Sequence, residues 1–346
     1  MLRLPAEWEP QAAVMLTWPH PETDWCDQLP VIEQLYEQLA AAIARFEPIL
    51  VVCRDDSHRA AIATRLELAG VPESRRHLAV AASNDTWARD YGPITVLTDG
   101  KAEPLAFRFN GWGAKFPADL DDQVTATLHR AGVFGGAGLR SVDLVVEGGA
   151  IDSDGQGTLL AMARTLVDER RNPGLDPSAI EVALGAALGA DRILWLEHGQ
   201  LTGDDTDGHI DTLARFCAPD TIAYVRCDDP TDPDQPGLAA MERELGALRR
   251  ATGEPYRLVP LPHPRPIHDA HRGRLPASYA NFLILNGAVL APVYDDPADR
   301  IALRTLGELF PGREIVPLEA RPFIMQGGSL HCLTMQLPAE LPVCGR

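Results

Sequence analysis

Short apolar runs separated by turn residues recur along the chain. Ile94 to Leu97 is followed by Thr98-Asp99-Gly100 and a second run, Pro104 to Phe109. Leu144 to Ile151, Asp154-Gly155 and Thr158 to Met162 repeat the arrangement, as do Leu213 to Cys217, Ala218-Pro219-Asp220 and Thr221 to Val225. Phe282 to Leu285, Asn286-Gly287 and Val289 to Val293 make a fourth case. Asp-Gly and Asn-Gly between such runs are strong hairpin signals. The turns come at intervals of roughly 55 to 67 residues, a spacing that suggests repeated units.

Between the hairpins lie segments with helical spacing: Ile32 to Arg45, His58 to Leu68, Leu120 to Ala131, Ile180 to Leu188, Leu238 to Ala251 and Arg300 to Leu309. Most lead into a further short apolar strand, at Ile49 to Cys53, Ile193 to Leu196, Tyr256 to Leu261 and Glu314 to Leu318. The predicted unit is hairpin, helix, strand. Four internal hairpins leave one unit short, and Ala13 to Trp18 is predicted to pair with Ser329 to Gln336 to complete a fifth. Joining the two would remove open sheet edges, as in radially repeated folds. The expectation is a single α/β domain over residues 1–346, with the Pro-rich stretches Pro219 to Pro236 and Pro262 to Pro276 as loops near one mouth of the ring.

Charge narrows the partners. With 49 acidic against 31 basic side chains the formal net charge is -18, which argues against a nucleic-acid partner and fits a small cationic substrate better. Six cysteines are scattered without a CxxC pair in a chain too large to need disulfide staples, so they read as free thiols in a reducing compartment. No apolar stretch is long enough to span a membrane or resembles a leader, so a cytoplasmic protein is expected. A homo-oligomer is left open.

Two segments carry candidate chemistry. Gly327-Gly328-Ser329-Leu330-His331-Cys332 places a cysteine behind a glycine pair, and Asp207-Gly208-His209-Ile210-Asp211 offers a histidine and carboxylates. Read as extended segments, their period of two puts His209 and Asp211 on one face but His331 and Cys332 on opposite faces. That makes His331 a poor partner for the thiol. A lone cysteine in an apolar strand is more often buried filler, and an Arg89-Asp90 pair more often a salt bridge than a site. Glu147 before two glycines is more telling, because a buried unpaired carboxylate is costly. A metal is not expected: His209 with neighbouring aspartates matches neither HExxH nor a zinc knuckle, and one histidine with aspartates is a weak transition-metal signal. Gly135 to Gly138 likewise fails the dinucleotide fingerprint, so no cofactor is expected.

Several motifs together change the picture. Asn84-Asp85-Thr86-Trp87-Ala88-Arg89-Asp90-Tyr91-Gly92-Pro93, Phe109-Asn110-Gly111-Trp112-Gly113, Glu147-Gly148-Gly149, Asp205 to Asp211, Ser278 to Phe282 and Gly327 to Cys332 resemble the agmatine deiminase and bacterial peptidylarginine deiminase family, in the family's order. The resemblance implies the fivefold pseudosymmetric α/β propeller (pentein) of the guanidino-group-modifying enzymes. It also implies that Asp90 and Asp211 clamp a guanidinium, that Cys332 attacks its carbon, and that His209 moves the protons. The thiol's pKa would be lowered by the bound cation and a protonated histidine. Glu147 would orient His209 or meet a guanidinium nitrogen. Trp87, Asp205, Asn281 and Gly328 are expected to line the substrate site, with Asp205 a candidate for a distal amine. Arg108 is the cation that could instead meet a substrate carboxylate. Asp232, in the first Pro-rich stretch, reads as an ordinary surface acid.

Overall fold

The computed structural model describes residues 1–344. At Asp99-Gly100 both residues take positive φ, 50° and 77°, and the register Thr98 to Lys101 leaves these two as the whole loop. Such primed turns match the twist of the strands they join. The resulting hairpin, Ile94–Thr98 with Lys101–Arg108, is extended in parallel by Arg140–Val145 after the helix Asp121–Arg130.

Four further sheets follow the same plan of an antiparallel pair, a helix and a parallel strand. Ile151–Ser153 and Thr158–Met162 are joined by Arg192–Leu196, and Ala214–Ala218 and Thr221–Arg226 by Arg257–Pro262. Leu283–Ile284 and Ala288–Val293 are joined by Glu314–Glu319. In the last sheet Thr334–Pro338 runs antiparallel to Gln11–Thr17, which pairs in parallel with Ile49–Cys53. The intervening helices are Pro177–Leu188, Gln235–Ala247, Asp299–Leu309 and Leu29–Ala44. Leu29–Ala44 shows why: Ile32, Tyr36, Leu39 and Ile43, spaced by three and four, form one buried stripe. The apolar core runs continuously through the sheets, from Val14 and Val51 to Ile222 and Leu290.

Some expectations need correction. Leu144 and Val145 do not open the second hairpin; they end Arg140–Val145, whose exposed Ser141 and Asp143 disguise it as a loop. The Pro-rich stretches are not simply loops. The first contains the strand Thr221–Arg226, and the second folds into the hairpin Ile267–Asp269 with Gly273–Leu275. The C-terminal strand starts at Thr334, so Ser329 to Leu333 is a turn and the alternating-face reading of His331 and Cys332 does not apply. Nor is Gly208 to Asp211 extended, because Asp207 and Gly208 take φ of 70° and 96° and Ile210–Thr212 is a single 3-10 turn. Among the described residues no helix is long and apolar enough to cross a membrane.

Candidate active site

The repeated plan delivers one functional segment per unit, always in the turn that leads into the first strand of the antiparallel pair. Asp90 lies in Ala88–Tyr91 before Ile94–Thr98, and Glu147 precedes the 3-10 turn Gly148–Ala150 and Ile151–Ser153. His209 and Asp211 precede Ala214–Ala218, Asn281 precedes Leu283–Ile284, and Cys332 precedes Thr334–Pro338. Far apart in sequence, His209, Asp90 and Asp211 meet at Gly149, and Asp211 and Asn281 reach Cys332. A Cβ at Gly149 would stand 2.6 Å from His209 Nδ1, 2.9 Å from Asp90 Oδ1 and 3.2 Å from Asp211 Oδ2. Only glycine leaves room for so close an approach.

Each carboxylate is held differently. Asp90 accepts from the Gly149 amide and from Trp112 Nε1, both at 3.0 Å. Asp211 Oδ2 lies 2.7 Å from His331 Nδ1 and 3.6 Å from the Cys332 thiol, which donates to it. Asn281 fixes the nucleophile turn: its Nδ2 donates to Cys332 Sγ at 3.2 Å, while its Oδ1 accepts from the amides of His331 and Cys332. Glu147 Oε2 is 3.2 Å from His209 Nε2. His209 Nδ1 and Asp211 Oδ1 are buried with no protein hydrogen-bond partner.

Burial dominates the electrostatics. It pushes Asp90 up to about 6, with His209 opposing and Asp211 and Glu147 adding to the rise. It would depress His209, but Asp90, Glu147 and Asp211 outweigh it and hold the ring at about 9, as an imidazolium. Asp211 is the reverse: burial would raise it, yet the hydrogen bond and charge of His331 keep it below the ordinary carboxylate value. Burial, with Asp211 and Asp90 adding to it, drives the Cys332 thiol well above its usual value. The protonated His209 alone therefore does not make Cys332 a thiolate. A cation between Asp90 and Asp211 would have to cancel their charge first.

In front of these groups opens a cavity of about 170 Å3 lined by Trp87, Asp90, Trp112, Asp205, Gly328 and Cys332, among others. Trp87 lies so close over Gly328 that a Cβ there would stand 2.2 Å from its ring. Asp205, pushed up to about 6 by burial and by Asp204, stands on the wall with Arg272. Trp112 belongs to a run of left-handed residues, Gly111, Trp112, Gly113 and Ala114, with φ of 69°, 56°, 80° and 61°. For the two non-glycine residues this costs about 1–2 kcal/mol each. The run is held by the Trp112 bond to Asp90, by Asn110 Oδ1 accepting from Gly113, and by Lys115 donating to Asp205 O and Asp207.

Two expectations fail here. Arg108 does not face the cavity; it is largely exposed and pairs at 3.5 Å with Asp122 and Asp143. Asp232 is not a surface acid but is buried against Arg274, at 2.7 and 2.9 Å. Arg171 was not visible in the sequence: fully buried, it donates through Nε to both Glu147 oxygens, at 2.8 and 3.0 Å, and through Nη1 to Asp207. Its one nearby partner, Asp168, gives no hint of the site, since Glu147 and Asp207 are both distant in the chain.

The arrangement resembles proteins already characterised. A family model described as Porphyromonas-type peptidyl-arginine deiminase matches residues 3–338. The agmatine deiminase of Stutzerimonas stutzeri is 34% identical, over 97% of this chain and 95% of its own. The solved C. jejuni agmatine deiminase with substrate bound superposes with a TM-score of 0.89 at 35% identity, covering 97% of this chain and 96% of that one. A structure from Porphyromonas gingivalis, provisionally named an arginine deiminase, gives 0.91 at 47% identity, with 99% and 100% covered. Its α/β fold is therefore shared with deiminases of known structure, and the chain belongs to the Porphyromonas-type peptidyl-arginine deiminase family.

Proposed function

We propose that the chain is an agmatine deiminase, hydrolysing agmatine to N-carbamoylputrescine and ammonia. The observation that carries this is that Asp90 and the Cys332 thiol line one cavity, with Asp211 at 3.6 Å from that thiol and beside Asp90 at Gly149. Two carboxylates are suited to a planar guanidinium through charge-assisted hydrogen bonds, and a thiol is the nucleophile. Once the cation is seated Cys332 gives its proton to water leaving through the cavity, and the thiolate attacks the guanidine carbon, forming the C–S bond of a neutral tetrahedral adduct. His209 gives its proton to the leaving nitrogen, the C–N bond breaks, and ammonia departs from an amidino-cysteine. Water then attacks that carbon, its proton returning to His209, and the C–S bond breaks to release the ureido product. Glu147, held by Arg171, keeps His209 oriented.

We further infer that the five like sheets form the closed fivefold propeller, as one catalytic domain, since the functional turns occupy the same place in every unit. The six free thiols fit a cytoplasmic enzyme.

Two measurements test the proposal. Ammonia release from agmatine, arginine and a blocked arginine peptide should favour agmatine by about 100-fold or more, because an added carboxylate would face Asp90 and Asp205 unpaired. Asp205→Asn should narrow that gap while sparing the thiol chemistry. A second reading, an enzyme for arginine or its peptides, is favoured by Arg272 on the cavity wall. A preference for arginine would make Arg272, not Arg108, its carboxylate anchor.

The pH profile of kcat/KM is the other test. Asp90 must be ionised to hold the cation, so activity should fall as pH drops through about 6. His209 must be protonated to assist departure, so activity should fall again as pH rises through about 9. Full activity two units outside either limb would remove that group from the mechanism.

A further inference from the structure

Behind the nucleophile lies a second buried group that the mechanism above does not use. His331 Nδ1 is 2.7 Å from Asp211 Oδ2, and its Nε2 is 2.8 Å from Glu7 Oε2. All three side chains are at most 4% exposed. A ring that faces a carboxylate oxygen from each nitrogen satisfies both only by donating twice, which requires both protons. Glu7 is committed as an acceptor, because it also takes hydrogen bonds from Arg215 and from the Ile284 amide. Arg215 in turn lies 3.5 Å from Asp152.

We propose that His331 is a positioning residue: a buried imidazolium, locked by Glu7, that keeps Asp211 ionised and aimed at the substrate guanidinium. The inference rests on Asp211 being part of the clamp. Burial and the neighbouring Asp90 both favour protonation of Asp211, and His331, in direct contact with it, opposes them together with His209 and Arg215. The groups facing this pair are known from every side. Asp211 has His209 and Asp90 across Gly149 and the Cys332 thiol beside it. The His331 carbonyl accepts from Arg89 Nε, and Arg89 is itself buried. Arg89 and Arg215 stay charged when His331 is replaced, so His331→Gln removes the ring's charge alone. A separate cavity of about 50 Å3, bordered by Glu7, His331, Arg89 and Asp152, adjoins the pair away from the substrate cavity.

The test begins with the native protein. In 15N-histidine-labelled enzyme at pH 7.5, two rings should keep both N–H protons shielded from exchange, those of His209 and His331. Absence of either shielded N–H from the His331 ring, identified by the signals lost in His331→Gln, would overturn the proposal, whatever the substrate proves to be. Kinetics give the functional half. His331→Gln should raise KM for agmatine by at least about 10-fold and move the acid limb of kcat/KM upward by at least one pH unit. Glu7→Gln, which leaves the ring in place but frees it from one carboxylate, should move the limb the same way by less. Loss of activity by one constant factor at all pH values in both variants would mark a purely structural role and overturn the proposal. Asp211→Asn separates the two claims: if it binds agmatine normally, the clamp itself fails, independently of the state of His331.

Discussion

Cys332→Ser is expected to lower agmatine turnover by at least about 1,000-fold while the fold is kept. The thiol is small and buried, accepts from Asn281 Nδ2 and donates to Asp211, and a hydroxyl can make both contacts. What a hydroxyl cannot do is ionise when the cation arrives, because its own pKa lies far higher than that of a thiol. Thermal unfolding of the variant should therefore match the parent. In the native enzyme, rapid quenching should reveal an amidino adduct on the peptide containing Cys332, and a thiol alkylator should abolish activity where a chelator leaves it intact. A folded Cys332→Ser protein with most of its activity would end the covalent mechanism.

Asp211→Asn is expected to be the next most severe change, with Asp90→Asn close behind. Each removes one charge-assisted partner of the guanidinium in a desolvated site, a loss of about 2–4 kcal/mol, or roughly 30-fold to 1,000-fold in kcat/KM. Asp211→Asn should fall at the upper end because that carboxylate also accepts from the thiol and from His331. Both KM and kcat should suffer, since the clamp holds substrate and transition state alike. Asp143→Asn serves as the control, its side chain being 97% exposed and paired only with an exposed arginine. Equal, small effects at all three positions would make Asp90 and Asp211 bystanders.

Much of this site was legible before any coordinates because its parts are short and local. The tight turn at Asp99-Gly100 declares itself through residues that tolerate positive φ and that at Asn286-Gly287 through residue types common in turns, and from these the repeated units follow. Strands that alternate weakly did not: Arg140–Val145 exposes two of its polar residues, and Arg76–Val80 is mostly half-buried. The period-of-two argument at His209 and Asp211 failed for a different reason. Two left-handed residues just before them turn the chain out of the extended state, and tertiary contacts, not local pattern, aim both side chains at Gly149.

What sequence reasoning missed lies one contact further back. Glu7 and His331 are 324 positions apart, and Glu147 and Arg171 are 24 apart with no shared element. Buried ion pairs of this kind are defined by what the fold brings together. The misreading of Asp232 has the same origin, since its partner Arg274 stands on a hairpin concealed within a Pro-rich stretch.

The pairing of Thr334–Pro338 with Gln11–Thr17 carries a consequence for when the protein acquires its chemistry. The turn that holds Cys332 runs directly into a strand whose neighbour is made at the other end of the chain. The nucleophile therefore cannot be registered against Asp211 and Asn281 until two strands more than 300 positions apart have zipped together. Such long-range closure is slow compared with formation of the local hairpins. During synthesis and refolding, four of the five sheets can assemble around an inert centre, so reactivity toward guanidines should be the last property to appear. A chain halted before Thr334 would be a nearly finished scaffold with no working thiol.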